Sequence, residues 1–377
     1  MTSRLWAEID LRALQSNVRS VLRFVDPAGV MAIVKANAYG HGIEQVSAAC
    51  ISAGAQWLGV ATVDEGLRLR ALLPHVPIAL TAPFLVSEAE AIVAGRLTPF
   101  LSNMEQAHAL SAAAERAGQT VSVHLEVDIS LTRSGVAPEE AARTAEIVSR
   151  MPGIRLEGLC THFACADEDL AATKEELACF LDIRKRLAAS DLPIPLAHCA
   201  ASAALLSLPA SRMDLVRPGL LIYGIRPSVP QDVPIPSITP VMTLKSAIAL
   251  IRKVPAGRGV SYGHTHTLVR ASRLATIPVG YGDGYPRALS NRGYVLIAGR
   301  RAPILGRVCM DVTVVDVTDI PQAEEGSEVV LIGKQGTECI TVEEIAGMAG
   351  TTAHDVTTRL TSRVDRVYIG GEDGSAD

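Results

Sequence analysis

Cysteine is sparse and unpatterned in this chain. Its 377 residues hold seven, an odd number, with no CxxC pair and no Cys/His spacing of the zinc type. A disulfide framework and a structural metal site are therefore not expected. Cys160 and Cys165 lie close together but read as two reduced thiols. No long basic run occurs and the net charge is −5, so nothing favours a nucleic-acid partner. Long apolar runs are also missing. The opening "MTSRLWAEIDLRAL" is broken by Arg4, Glu8, Asp10 and Arg12, unlike the apolar stretch of a signal peptide. No stretch reads as a membrane span, and the expected location is cytoplasmic. Aromatic residues make up only 4% of the chain.

What is present is aliphatic. Hydrophobic residues are 48% and charged residues 20%, enough to bury a large core of Ala, Val, Leu and Ile without staples. From residue 30 to about 225, short β-rich runs alternate with longer helical stretches. The strands are expected at Val30–Val34, Trp57–Val60, Ile78–Leu80, Thr98–Leu101, Val121–Val127, Ile154–Thr161, Ile194–Cys199 and Asp214–Val216. Helical spacing of apolar residues follows in Glu44–Ala53, Asp64–Leu73, Glu88–Ala94, Met104–Ala117, Pro138–Arg150 and Asp169–Ala189. No Gly-rich dinucleotide fingerprint follows the first strand, so the pattern predicts a closed (β/α)8 TIM-type barrel in preference to an open sheet.

The texture changes at "RPSVPQDVPIPSITP", whose prolines suit an extended connector. Beyond it, "MTLKSAIALIRKV", "SRLATIPVG", "GYVLIAG", "RAPILGRVCMDVTVVDV" and "SEVVLIG" read as strands separated by turns, with one helix opening at Thr341 and Glu344 as a capping box. Two domains are expected, a barrel over 1–230 and a mostly-β domain over 231–377.

In such barrels the strand ends at the C-terminal face build the active site. Lys35, Arg133, His162, His198 and Arg217 fall at such ends. A lysine after a strand is ordinarily solvated. Lys35, flanked by Ala, Val and backbone in "AIVKANAYGHG", is also placed to lose its proton and attack an aldehyde, the chemistry pyridoxal phosphate exploits. A phosphate cradle has candidates in Tyr39, Ser202 and the backbone N–H groups of Gly219 and Leu220, although each alone reads as an ordinary turn or cap residue. Arg217 suits the pyridine nitrogen: a guanidinium only donates, so it keeps that nitrogen unprotonated and suits a brief carbanion promptly reprotonated. His198 reads either as an orienter of Arg217 or as a satisfied core histidine.

These residues lie in segments that resemble the alanine racemase family along nearly the whole chain. They are "WAEIDLRALQSNV", "AIVKANAYGHG", "GVATVDEGLRLR", "THFACADE", "HCAASAA", "VRPGLLIYG", "VSYGHTHT", "IPVGYGDGYPR" and "GRVCMD". The resemblance implies a pyridoxal 5′-phosphate barrel followed by a β domain, interconverting L- and D-alanine for cell-wall synthesis. It implies a head-to-tail homodimer with shared active sites. Lys35 becomes the Schiff-base lysine and one catalytic base, and Tyr262 from the second subunit the other. His162 is placed by the cofactor and that tyrosine, linked onward to Arg217 and His198. Arg133 and the backbone of Met310 are implied at the substrate carboxylate, and Tyr281 with Asp311 on the entry path.

Two bases suit racemisation, because one side chain does not reach both faces of a planar carbon. The cations of His162 and Arg133 are then expected to acidify Tyr262. The chain departs from the family pattern twice. Glu126 stands where many members have a carbamylated lysine, and is expected to hold Arg133 by a charge-assisted hydrogen bond. Ser362 stands where some relatives have a phosphate-binding tyrosine, which implies weaker cofactor retention. The rival readings are a serine or broader-specificity racemase, a pyridoxal-phosphate decarboxylase, disfavoured by Arg217, and a cofactor-carrying binding protein, which would have no use for Tyr262.

Overall fold

The computed structural model describes residues 4–190, 192 and 194–370. The chain forms two compact units. One holds Leu14–Ala38 and Ile43–Ile238, and the other holds the chain up to Ala13, Tyr39–Gly42 and the chain from Thr239 onward.

Strand β1 (Leu5–Asp10) belongs to the second unit. In the first unit follow β2 (Gly29–Ile33), β3 (Trp57–Val60), β4 (Ile78–Leu80), β5 (Thr98–Leu101), β6 (Val121–Glu126), β7 (Ile154–Cys160), β8 (Leu196–His198) and β9 (Leu215–Val216). They form one eight-stranded sheet in the order β8-β7-β6-β5-β4-β3-β2-β9, with every pair parallel. The ring closes where Arg217 N donates to Ala200 O at 2.9 Å and Ala201 bridges Arg217. This is the expected barrel. Its strands are nearly continuous buried aliphatics, such as Val30, Met31 and Ala32 or Ile78, Ala79 and Leu80, as a sheet covered on both faces requires.

The helices between strands start and stop for local reasons. Leu11–Val25 buries Leu14, Val18, Val21 and Val25, one stripe at spacings of three and four. Val63–Leu72 opens with a Thr62/Glu65 capping box. Met104–Ala117 is capped by Asn103, whose Oδ1 accepts from Gln106 N at 2.8 Å, and stops at Gly118 in the left-handed region. No helix among the described residues is long and apolar enough to cross a membrane.

The second unit is mostly β. Its strands are β10 (Met242–Ala247), β11 (Leu250–Val254), β12 (Gly259–Val260), β13 (His266–Thr267), β14 (Ser272–Ile277), β15 (Tyr294–Ile297), β16 (Arg300–Pro303), β17 (Thr313–Asp316), β18 (Glu328–Gln335), β19 (Glu338–Ile340) and β20 (Asp365–Ile369). The main sheet runs β16-β15-β18-β10-β1-β20, with β19 on β18, and a smaller sheet runs β11-β14-β17.

The domain bounds differ from those expected. The N-terminal segment pairs away from the barrel: β1 lies between β10, antiparallel, and β20, parallel, so "LWAEID" is a strand of the second unit. Its alternation of buried Leu5, Ala7 and Ile9 with half-buried Trp6, Glu8 and Asp10 is that of a strand covered on one face. The units also part at Ile238, later than 230, because the proline-rich connector stays with the barrel.

In the second unit the segment "GYGDGYP" is drawn tight by a buried carboxylate. Asp283 is fully buried and accepts from Gly280 N at 2.9 Å and Arg4 at 2.6 Å, with Arg363 Nε at 3.1 Å. Gly284 has φ +98, and a Cβ there would lie 2.2 Å from the Arg359 carbonyl oxygen. Gly284→Ala therefore combines left-handed strain with a backbone clash, and is expected to destabilise the fold by about 2–3 kcal/mol. Urea midpoints measured without cofactor, at matched protein concentration, check this, and an unchanged midpoint would refute it.

Candidate active site

The first unit gathers five polar side chains at its strand ends, beginning with Lys35. Past β2 the backbone turns left-handed for four consecutive residues, Ala36, Asn37, Ala38 and Tyr39, with φ of 52–55°. Only Asn37 has a side chain that favours that region, so the turn costs energy and must be held by its surroundings. The holding contacts are local. Ala38 N donates to Val34 O at 2.8 Å, and Ile43 N donates to Asn37 Oδ1 at 3.0 Å. Lys35 at the start of this turn has its pKa lowered, first by burial and then by the charges of Arg133 and Arg217, against a smaller opposing pull from Glu65. That combination makes an amine available as nucleophile and base.

Arg217, one residue past β9, is the hub of the site. It is 5% exposed, and its two Nη groups meet five acceptors. Nη1 donates to His198 Nδ1 at 2.5 Å and His198 O at 2.9 Å, and Nη2 donates to Thr161 O at 2.7 Å, Cys199 O at 3.2 Å and His162 Nδ1 at 3.3 Å. Its Nε–H takes no partner among the described residues. One donor thus remains for an acceptor such as an unprotonated pyridine nitrogen, which fits the group the sequence implies.

His162 differs from its expected state. Burial, with the positive charges of Arg217, Arg133 and Lys35, pushes its pKa down to about 3, so the ring is neutral at ordinary pH. It is no cation that could acidify a tyrosine, and Arg133 is left as the charge of that expectation. Glu126 differs as well. No hydrogen bond joins it to Arg133 among the described residues. Its carboxylate instead accepts from Ser134 and, at 3.5 Å, from Ser102, and it meets Arg133 and Arg217 only through charge. The reason is the loop after β6: Asp128 accepts from Thr132 N at 2.9 Å and Arg133 N at 2.8 Å, and Arg133 is an exposed residue of that turn. Burial dominates at Glu126 and raises its pKa.

The phosphate-cradle candidates divide between the units. Ser202 Oγ accepts from Gly219 N at 3.1 Å and Leu221 N at 3.5 Å, which leaves its own O–H to donate to an anion. Leu220 opens the short 3-10 turn after Gly219. Lys35, Arg133 and Arg217 bring more positive than negative charge to the strand ends, which suits a phosphate-bearing ligand. Tyr39 belongs to the other unit, where its ring lies 6.3 Å from that of His354, and burial pushes its phenol up to about 12.

The remaining candidates cluster on loops of the second unit. Tyr281 N donates to Cys309 O at 3.0 Å and Gly282 N to Met310 O at 2.9 Å, while Ser261 Oγ donates to Arg307 O at 2.6 Å. Tyr262, Tyr281 and Met310 therefore share one loop cluster, and they are 72%, 42% and 53% exposed. Asp311 pairs with Arg363 Nη2 at 2.6 Å, beside exposed Ser362.

Sequence reasoning missed an interior layer of the barrel. His124 Nδ1 lies 2.8 Å from His198 Nε2, and Phe100 and Trp57 pack on its ring. A signal existed: His124 stands two residues before Glu126 on β6, so strand alternation puts both on one face. The hydroxyls of Ser102 and Ser134 left no comparable signal.

His124 and His198 are both fully buried, and burial first, then the Arg217 charge, depresses their pKa values, that of His124 to about 3. The unfolded chain protonates both below about pH 6.5 while the native barrel does not, so stability is complete above that pH and falls as pH drops toward 3. Urea unfolding at pH 7, 6 and 5 is expected to show a loss approaching about 1.4 kcal/mol per pH unit for each ring. A flat profile across that window would contradict the assignment of neutral buried imidazoles.

Known proteins match this architecture in both units. The alanine racemase N-terminal domain family matches residues 9–227 and its C-terminal domain family residues 241–368. An alanine racemase from Desulfovibrio desulfuricans is 42% identical over 367 residues, covering 97% of this chain and 98% of that protein. The crystal structure of an alanine racemase from Streptomyces lavendulae superposes with a TM-score of 0.92 at 36% identity, covering 98% of each chain. One from Bartonella henselae with covalently bound pyridoxal phosphate gives 0.87 at 29% identity, over 97% of this chain and all of that one. With both of its units matched by one family's domains and its full length shared with that family's members, this chain belongs to the alanine racemase family.

Proposed function

We infer that this protein is a pyridoxal-phosphate-dependent alanine racemase that works with one base on each face of the substrate. The observation that supports it most directly is the depressed amine of Lys35 beside two guanidinium groups, Arg133 and Arg217.

When bound, pyridoxal phosphate supplies an electron-withdrawing ring that makes the amino acid's Cα–H acidic. The protein's residues then handle binding and protons. Lys35 Nζ would hold the cofactor at its aldehyde carbon and would take or return the Cα proton on one face. Its lowered pKa favours the neutral amine that nucleophilic attack and proton removal require. Tyr262 Oη moves the proton on the other face. Arg217 would donate from Nε and cannot give up its proton, so it would keep a ring nitrogen there neutral and the electron sink shallow. That favours prompt return of the proton over side reactions. Ser202 and the Leu220 N–H would hold the phosphate, the Gly219 N–H being taken by Ser202 Oγ. Arg133 and the Met310 N–H, which takes no partner among the described residues, would receive the substrate carboxylate, with Glu126 fixing the Arg133 loop through Ser134. Tyr281 and Asp311 narrow the entry and favour a small side chain.

Tyr262 is 72% exposed within a single chain, and Met310 and Tyr281 beside it are 53% and 42% exposed. These are large groups to leave in water, and they support a homodimer in which each active site takes its second base from the partner. All seven cysteines are free, which suits a reducing cytoplasm.

Three outcomes are expected. Purified protein with pyridoxal phosphate in deuterated buffer converts L-alanine to D-alanine with deuterium entering at Cα; release of carbon dioxide would overturn the assignment. Tyr262→Phe slows exchange from one enantiomer far more than from the other, whereas equal mild effects would remove Tyr262 from its role. Mixing inactive Lys35→Ala and Tyr262→Phe proteins restores up to about one quarter of wild-type activity, because half the dimers then hold one intact site. No recovery after subunit exchange would refute the shared site.

A further inference from the structure

One fully buried imidazole in the barrel has no role in the scheme above, and the fold makes a slot for it. A register shift between Val123 and His124 sets His124 of β6 opposite Gly158 of β7. A Cβ at Gly158 would lie 2.5 Å from the His124 ring, so only glycine leaves it room. Phe100 stacks on the ring at 5.7 Å between centroids and 23° between planes, and Trp57 closes another side at 5.2 Å.

The direction of the hydrogen bonds follows from Arg217, which only donates. His198 Nδ1, 2.5 Å from Nη1, must accept, so the neutral His198 ring carries its proton on Nε2. That proton points to His124 Nδ1 at 2.8 Å, which must accept in turn, leaving the His124 proton on its own Nε2. There the chain ends on a buried N–H with no hydrogen-bond partner, 3.9 Å from the Oε2 of Glu157. Glu157 is partly exposed and also pairs with Arg155 at 2.9 Å. Packing alone does not explain this arrangement, since a phenyl ring would fill the slot but leave the His198 Nε2–H without its acceptor.

We propose that His124 and Glu157 are positioning residues for Arg217: two neutral imidazoles in series, each protonated on Nε2, connect the guanidinium to a remote carboxylate. This rests on the reading of Arg217 as the partner of the cofactor's ring nitrogen. A carboxylate placed directly on Arg217 would align it but would bring a formal anion next to that nitrogen and favour its protonation. Through two polarised rings the counter-charge acts from a distance, and each hydrogen bond strengthens the next. The depressed pKa of both rings agrees with their neutrality.

The test uses the full-length enzyme labelled with 15N-histidine, prepared with and without pyridoxal phosphate, with two-bond nitrogen–proton spectra assigned through His124→Phe and His198→Gln. Both rings are expected to be neutral and protonated on Nε2 from about pH 6 to 9, in both preparations. A proton on Nδ1 of either ring, or an imidazolium, overturns the proposal. In the loaded enzyme, His124→Phe and Glu157→Gln are each expected to lower kcat about tenfold, with KM held within about twofold, and to shift the absorbance band of the bound cofactor. Glu157→Gln keeps the shape at a partly exposed position and decides the matter if His124→Phe fails to fold. A purely structural role would lower thermal stability while leaving the tautomers, the band and kcat unchanged, and that result overturns the proposal. If the wild-type protein binds no pyridoxal phosphate, the reading of Arg217 fails, whereas wrong tautomers in a cofactor-loaded, active enzyme sink this inference alone.

Discussion

A guanidinium buried inside a barrel without a carboxylate on it is the constraint around which the site is organised. Arg217 is 5% exposed, and nothing on its Nη groups is charged: three backbone carbonyls and two neutral imidazoles take the donors. Removing such a cation from water is costly unless its donors are satisfied. The satisfaction is supplied by strand ends, since Thr161, His198 and Cys199 offer their carbonyls where β7 and β8 stop, His198 O accepting from Thr161 N as well at 3.4 Å. The parallel barrel therefore provides the ligand set for the arginine before any side chain is chosen.

The same cation sets the protonation of its surroundings. Its charge adds to burial in keeping His162, His198 and His124 neutral, and it lowers the proton affinity of the Lys35 amine. Three histidines that would otherwise titrate near neutrality become fixed acceptors or relays. Lys35 is prepared by position as well as by charge, because the left-handed turn that follows it confines its backbone to a conformation three of its four residues resist.

Much of the barrel could be read from the chain because each strand is a short, uninterrupted aliphatic run bounded by polar residues, and each helix repeats its apolar positions at three or four. Trp57–Val60, Ile78–Leu80 and Thr98–Leu101 fall where those patterns put them. Strand β1 was less legible because pairing partners lie outside its own segment: alternation marks "LWAEID" as a strand but not the sheet it joins. At the site, Lys35 and Arg217 stand out by type and placement. Contacts made across strands do not. Glu126 finds Ser102 and Ser134 because a turn held by Asp128 sets the Arg133 loop, and His124 finds its slot through a register shift at Val123 and the missing side chain of Gly158. Such features depend on register, which a single sequence specifies weakly.

The placement of β1 also bears on synthesis. Its neighbours are β10, more than two hundred residues later, and β20, which is complete only at Ile369. On the ribosome every barrel strand emerges before either neighbour exists, so β1 waits unpaired for β10 and then keeps one open edge until β20 follows. Closing the main sheet of the second unit is thus a late, long-range event that brings β1 and β20 together across the whole barrel sequence between them.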